Sequence, residues 1–169
     1  MQRPEILTLP AMLEQSARLY PRRTALSYAE GDPVRYFELK TQVDHLSAFL
    51  QDQGIGDGDM VAIIGENSPN WGIAFFAATS MGAVAVPILP DFHTSEVHHI
   101  IRHSGSKAIF VSERFFHKIE DLNLNEYYRL RLGKDFYTIM GEIMNNAGNP
   151  DAGTAETKLL LHINDTIFE

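Results

Sequence analysis

Apolar residues recur at intervals of three and four from Thr8 to Tyr20, where Leu9, Met12, Leu13, Ala17 and Tyr20 fall near one face. The spacing predicts a helix with Thr8 as N-cap and Pro10 in its first turn, stopped by Pro21. Thr24 to Tyr28 and Val34 to Tyr36 flank Glu30-Gly31-Asp32-Pro33. That turn-rich spacing predicts a hairpin of two short strands, with Pro33 weakening the start of the second. From Phe37, the positions Leu39, Val43, Leu46, Phe49 and Leu50 define a second amphipathic helix. Lys40, Asp44 and Gln51 lie on its other side, and Gly54 ends it.

The pattern then changes period. Met60 to Ile64 is a short continuous apolar run between turn residues, the signature of a strand buried on both faces of a parallel sheet. Ala83 to Ile88 and Lys107 to Val111 have the same character, separated by helical segments Asn70 to Met81 and Thr94 to Ser104. Strands alternating with helices need crossover connections, which place helices on the sheet faces. The expected fold is therefore α/β, an open, mainly parallel sheet with helices on both faces, preceded by a helix and a short hairpin. In the segment Asn70 to Met81, the residues Trp71, Ile73, Ala74, Phe75, Phe76, Ala77, Ala78 and Met81 leave almost no polar face. A helix apolar all round is buried all round. A further part of the chain or a partner is expected to cover it.

Beyond Lys118 the pattern weakens. Lys134 to Asn145 carries Phe136, Ile139, Met140 and Ile143 at helical spacing, whereas Asn123 to Gly133 is ambiguous between an irregular helix and a loop. Asn145 to Thr157, rich in Asn, Gly, Ala, Pro and Thr, predicts a mobile loop, and Leu159 to Ile163 a further strand before Asn164-Asp165.

Composition narrows the function classes. The chain has 169 residues, 44% hydrophobic and 21% charged, which is enough for one domain with a core of its own. No apolar run is long enough to cross a bilayer and no signal peptide is evident, so a cytoplasmic protein is expected. The absence of cysteine excludes a disulfide frame, thiolate catalysis and cysteine zinc sites. A net charge of −8 with scattered lysines and arginines argues against nucleic acid as a partner.

Four constellations bear on chemistry. Gly54-Ile55-Gly56-Asp57-Gly58 resembles a phosphate loop in composition, but it runs from helix to strand and carries Asp57 and Asp59, which repel an anion. A tight turn explains it better. Gly65-Glu66-Asn67-Ser68-Pro69 lies between strand and helix and would present backbone amides; an N-cap by Asn67 or Ser68 accounts for it equally. Glu96, His99 and His103 share a stripe of one helix, with Val97, Ile100 and Ile101 on its buried face and no Asp or Cys placed to complete a tetrahedral site. A solvated face is the plainer account. None of the seven histidines sits beside an evident nucleophile, and Ser104, Ser106 and Ser112 have no nucleophile-elbow surround.

Taken as a set, several stretches resemble a known family. They are Tyr36-Phe37-Glu38-Leu39 and its helix to Gln53, the run Gly54-Ile55-Gly56-Asp57-Gly58-Asp59-Met60-Val61-Ala62-Ile63, Glu66-Asn67-Ser68-Pro69-Asn70-Trp71, and Gly82-Ala83-Val84-Ala85-Val86-Pro87. In this order they resemble the N-terminal region of adenylate-forming (AMP-binding) enzymes, specifically acyl-CoA synthetases. Glu66 to Trp71 together with Val86-Pro87-Ile88-Leu89-Pro90 looks most like the long-chain fatty acid branch. The resemblance covers Thr8 to Lys118, and Leu159 to Phe168 is compatible with the family's next strand. Arg35 stands where Ser or Thr often caps the helix, and Asn123 to Thr157 matches no pattern of the family.

The resemblance implies ATP-dependent activation of a fatty acid to an acyl-adenylate, then transfer of the acyl group to coenzyme A, with magnesium required. It also implies an intact enzyme that is cytoplasmic or peripheral to the membrane. The family's Ser/Thr/Gly-rich phosphate loop, its ribose-holding acid and its C-terminal catalytic lysine have no counterpart here. No catalytic, cofactor-binding or metal-binding residue is therefore carried over. The expectation is an incomplete N-terminal subdomain, residues 1–169, inactive alone, with no ATP, magnesium or coenzyme A bound to it. Its substrates would be met through the rest of the enzyme. A non-catalytic module of the same fold and part of an amino-acid-activating adenylation domain stand as alternatives. Because Trp71, Phe75, Phe76 and Met81 cannot all be buried by one small sheet, the chain is further expected to self-associate through that helix.

Overall fold

The computed structural model describes residues 7–29, 31–122 and 128–131, the last stretch by its backbone alone. The chain opens with helix α1, Leu9–Leu19, whose N-cap Thr8 accepts a hydrogen bond from the Ala11 amide. Strands β1, Thr24–Leu26, and β2, Val34–Arg35, form the antiparallel hairpin. Helix α2, Tyr36–Asp52, follows directly. It needs no Ser or Thr cap, because the Glu38 carboxylate reaches back to the Arg35 amide at 2.7 Å. Its buried residues are Leu39, Val43, Leu46, Phe49 and Leu50, the five that the spacing marks.

Strand β3, Met60–Ile64, helix α3, Pro69–Ser80, strand β4, Val84–Ile88, helix α4, Thr94–Ser104, and strand β5, Ala108–Val111, then alternate as expected. All pairs in the sheet are parallel and the strand order is β4-β3-β5-β6. Strand β6, Tyr128–Arg131, corrects the reading of Asn123 to Gly133 as helix or loop. Its Tyr-Arg-Leu-Arg alternation is too short and too basic to stand out as a strand in isolation. Pairing with β5 supplies the backbone partners that define it. The predicted helix Lys134 to Asn145, loop Asn145 to Thr157 and strand Leu159 to Ile163 lie outside the described residues.

The two sheet faces bury alternate residues. Val61, Ile63, Ala108 and Phe110 pack beneath α1, α2 and α3, while Ala62, Ile64, Ile109 and Val111 pack against Val97 and Ile101 of α4 and against Ile119 and Leu122. Strand β4 departs from its predicted burial on both faces. It is one of the two outer strands of the sheet among the described residues, and Val84 is 43% exposed. Pro87, which has no amide proton, was the available sign of an edge.

Helix α3 is covered from within the chain. Ile73, Ala74, Ala77 and Ala78 are fully buried between the sheet and the helices α1 and α2. The Ser47 hydroxyl of α2 also donates to the Ala77 carbonyl at 2.9 Å. Met81 is buried, and Trp71, Phe75 and Phe76 are half-buried, stacked or edge-on to one another. Of the four residues expected not to be buried together, Met81 is buried, while Trp71, Phe75 and Phe76 keep part of their surface exposed. The large exposed apolar side chains include Leu9, Met12 and Leu19 on α1 and Val84 and Leu89 at the outer strand.

Gly82 joins α3 to β4 at φ +83°, and an added Cβ would stand 2.2 Å from Oδ1 of Asp57. Gly82→Ala is expected to cost about 1 to 3 kcal/mol of stability, the usual cost of forcing a side chain into the left-handed region. Urea unfolding would check it: an unchanged midpoint would show that this turn relaxes freely.

Candidate functional site

In open α/β sheets ligands sit outside the carboxyl ends of the strands, where neighbouring loops leave toward opposite faces. Here β3 meets that condition against both neighbours, β4 and β5, because the chain leaving β3 runs to α3 on one face while the chain leaving β4 runs to α4 on the other. The chain leaving β5 runs through a 3₁₀ helix, Glu113–Lys118, to Ile119 and Leu122 on the same face as α4.

The β3 exit is built by Gly65, Glu66, Asn67 and Ser68. The Ser68 hydroxyl accepts from the Trp71 amide at 3.2 Å and Pro69 takes the first helical position. Ser68, rather than Asn67, is the N-cap, and Glu66 and Asn67 remain exposed. Two polar groups at this edge are buried without a partner, Oδ1 of Asn70 in the first turn of α3 and Oγ of Ser112 just past β5. The Ser112 amide donates to the Ile64 carbonyl at 3.0 Å, which ties the two exits together. Neither residue is marked by spacing alone, since burial of a helix N-terminal Asn or a post-strand Ser is decided by the packing above it.

The exit of β4 is held by Lys118. Its ammonium donates to the carbonyl oxygens of Pro90 and Phe92 and lies over the Phe115 ring, and its own carbonyl accepts from Nε2 of His98 at 2.9 Å. One lysine thus joins the β4–α4 connection, α4 and the 3₁₀ helix. Charge on this residue has no periodic signature, and the sequence did not single it out.

The glycine-rich turn sits at the opposite, amino end of the sheet. Gly54 and Gly58 both adopt φ +78°, and the Asp59 carboxylate accepts from the Gly56 amide and pairs with Lys107 at 2.6 Å. The Lys107 ammonium first, and the Gly56 amide second, hold the Asp59 carboxyl below its usual range. A turn closed by its own carboxylate is a helix-to-strand connection and leaves its amides no phosphate to bind. On α2, burial opposes the charge of Lys40, but the carboxylates of Asp44 and Glu14 outweigh it and raise its pKa.

A histidine does lie beside a hydroxyl. His93 Nδ1 is 3.0 Å from Ser95 Oγ and also accepts from the Ser95 amide, while Glu96 accepts from the His93 backbone amide at 2.8 Å. These bonds cap the start of α4, and the carboxylate orients the backbone rather than the imidazole, so the trio is not a nucleophile–base–acid relay. The Ser104 and Ser106 hydroxyls bond to each other at 2.7 Å at the far end of the same helix. Between the hairpin, α2 and the start of α3 lies a cleft of about 410 Å³ lined by Tyr28, Asp32, Val34, Glu38, Gln42 and Pro69, among others. Among the described residues no three His, Cys, Asp or Glu side chains are grouped to hold a metal, and no helix is long and apolar enough to cross a membrane.

Comparison with known proteins places this arrangement. A profile of the AMP-binding enzyme family matches residues 13–147. Bacitracin synthase 3 of Bacillus licheniformis is 26% identical over 145 residues, which is 86% of this chain and 2% of that protein. The mitochondrial medium-chain acyl-CoA ligase ACSF2 of Rattus norvegicus is 28% identical over 109 residues, 64% of this chain and 18% of its own length. The N-terminal subdomain of NpsA from Klebsiella oxytoca, solved in complex with 3-hydroxybenzoyl-AMSN, superposes with a TM-score of 0.63 at 23% identity. That match covers 79% of this chain and 32% of the solved one. The chain therefore spans only a small part of each relative.

Proposed function

The chain belongs to the AMP-binding enzyme family, and we propose that it forms the N-terminal α/β subdomain of an ATP-dependent acid–thiol ligase. The ligase would activate a fatty acid, of the long-chain class, as its acyl-adenylate and pass the acyl group to coenzyme A. The observation that carries this reading is the placement of Glu66 to Trp71 at the carboxyl end of β3. The segment leads into α3 and then into Val84-Ala85-Val86-Pro87 as the neighbouring parallel strand. The described residues do not themselves fit ATP phosphates or magnesium. Their glycine-rich turn is closed by Asp59, and the first amide donors of α3 include one already taken by Ser68. Their contribution is to position the loops around the β3–β5 crevice, against which the rest of the enzyme would close.

A second reading, an amino-acid-activating adenylation domain, is supported by the long match to bacitracin synthase 3. The full-length gene product separates the two in an acid-dependent exchange of pyrophosphate into ATP, followed by an assay of the acceptor. Exchange driven by fatty acids with product on coenzyme A is the expected result. Exchange driven by amino acids, with acyl transfer only to a carrier protein, would replace it by the second reading.

A further inference from the structure

Helix α4 carries two histidines one turn apart, His99 and His103, whose rings are stacked 5.6 Å centroid to centroid and 11° from parallel. Both are exposed, on the side of α4 away from Val97 and Ile101, which face the sheet. The other described histidines differ. His93 caps the helix and His98 bonds the Lys118 carbonyl. His45 has a buried Nδ1, and His117 stands apart on the 3₁₀ helix. His99 and His103 thus stand exposed on a rigid element whose N-terminus is closed by the His93–Glu96 capping box and whose C-terminus is closed by Gly105 at φ +65°.

We propose that His99 and His103 form a bidentate, solvent-open site for a borderline divalent transition cation on the outer face of α4. Two neutral imidazoles from one helical turn lie close enough to chelate one ion after small rotations about their side-chain bonds, and imidazole suits copper, nickel and zinc. Among the described residues no further ligand joins them, so water fills the remaining positions and the site exchanges its ion readily. A shallow depression bordered by Phe92, Ser95, Glu96, His99 and Ile100 adjoins the site and leaves room for those waters. The order of preference is copper above nickel and zinc, the general order for such ligands. A bound ion spans one turn of α4 and stabilises the folded chain through its preference for the folded state.

The test is calorimetric titration of the 169-residue chain with copper(II), nickel(II) and zinc(II), repeated with His99→Gln, His103→Gln and, as control, His117→Gln. Losing one of two protein ligands is expected to weaken binding at least about tenfold, the lower end of what a disturbed metal site loses. His117→Gln should change nothing. The urea midpoint should rise with added ion in the parent chain and not in His103→Gln, a readout independent of any catalysis. Equal affinity in the parent and in both variants overturns the proposal and places the ion elsewhere.

Discussion

Phe110→Ala is expected to lower the stability of the chain by about 3 to 5 kcal/mol, the range for removing a fully buried phenylalanine, which is a large share of the ~5 to 15 kcal/mol typical of a folded domain. Phe110 lies in β5, with β3 on one side and β6 on the other, and its side chain has no solvent exposure. It packs in the cluster that joins Val61 and Ile63 of the sheet to α2 and α3. Neighbours on both strands and a two-helix cover leave the vacated volume no route to collapse, so the cavity cost adds to the lost transfer of the ring. Leu89→Ala, at a side chain 62% exposed, serves as the contrast and should stay within about 0.5 kcal/mol. Denaturant unfolding followed by far-UV circular dichroism gives both values. A loss below about 1 kcal/mol at Phe110 would mean that this face of the sheet is loosely packed.

The second large effect is on catalysis. The 169-residue chain alone is expected to show no acid-dependent exchange of pyrophosphate into ATP, whereas an intact ligase of the proposed kind should show it. The reason is chemical. Transfer to a phosphate requires donors aimed at its oxygens, and the only glycine-rich turn among the described residues is closed by Asp59 at the amino end of the sheet. The α3 N-terminus likewise spends its Trp71 amide on Ser68. Micromolar binding of ATP to the 169-residue chain, measured by calorimetry, would show that the described loops do cradle a phosphate. Exchange by the 169-residue chain itself would remove the inference that the chemistry lies elsewhere in the enzyme.

Much of this architecture was legible from spacing. The five buried residues of α2, the runs Met60–Ile64 and Lys107–Val111, the cap Thr8 and a cap at Asn67 or Ser68 follow from local rules. Helical and extended periods place apolar side chains on predictable sides, and a hydroxyl before a helix has amides to accept from. The alternation of strands and helices carried the fold class for the same reason. What only the tertiary structure decided concerns residues whose role depends on elements distant in the chain. The burial of α3 comes from α1 and α2, so its apolar circumference says that something covers it and not what. The half-exposed face of β4 follows from its place at the edge, and β6 exists because β5 offers it a ladder of backbone partners. Lys118, Asn70 and Ser112 acquire their contacts, or their lack of them, only when loops from different strands meet at one end of the sheet. Periodicity records which side of an element is apolar; the identity of the neighbour on that side is set by long-range packing, which no local pattern encodes.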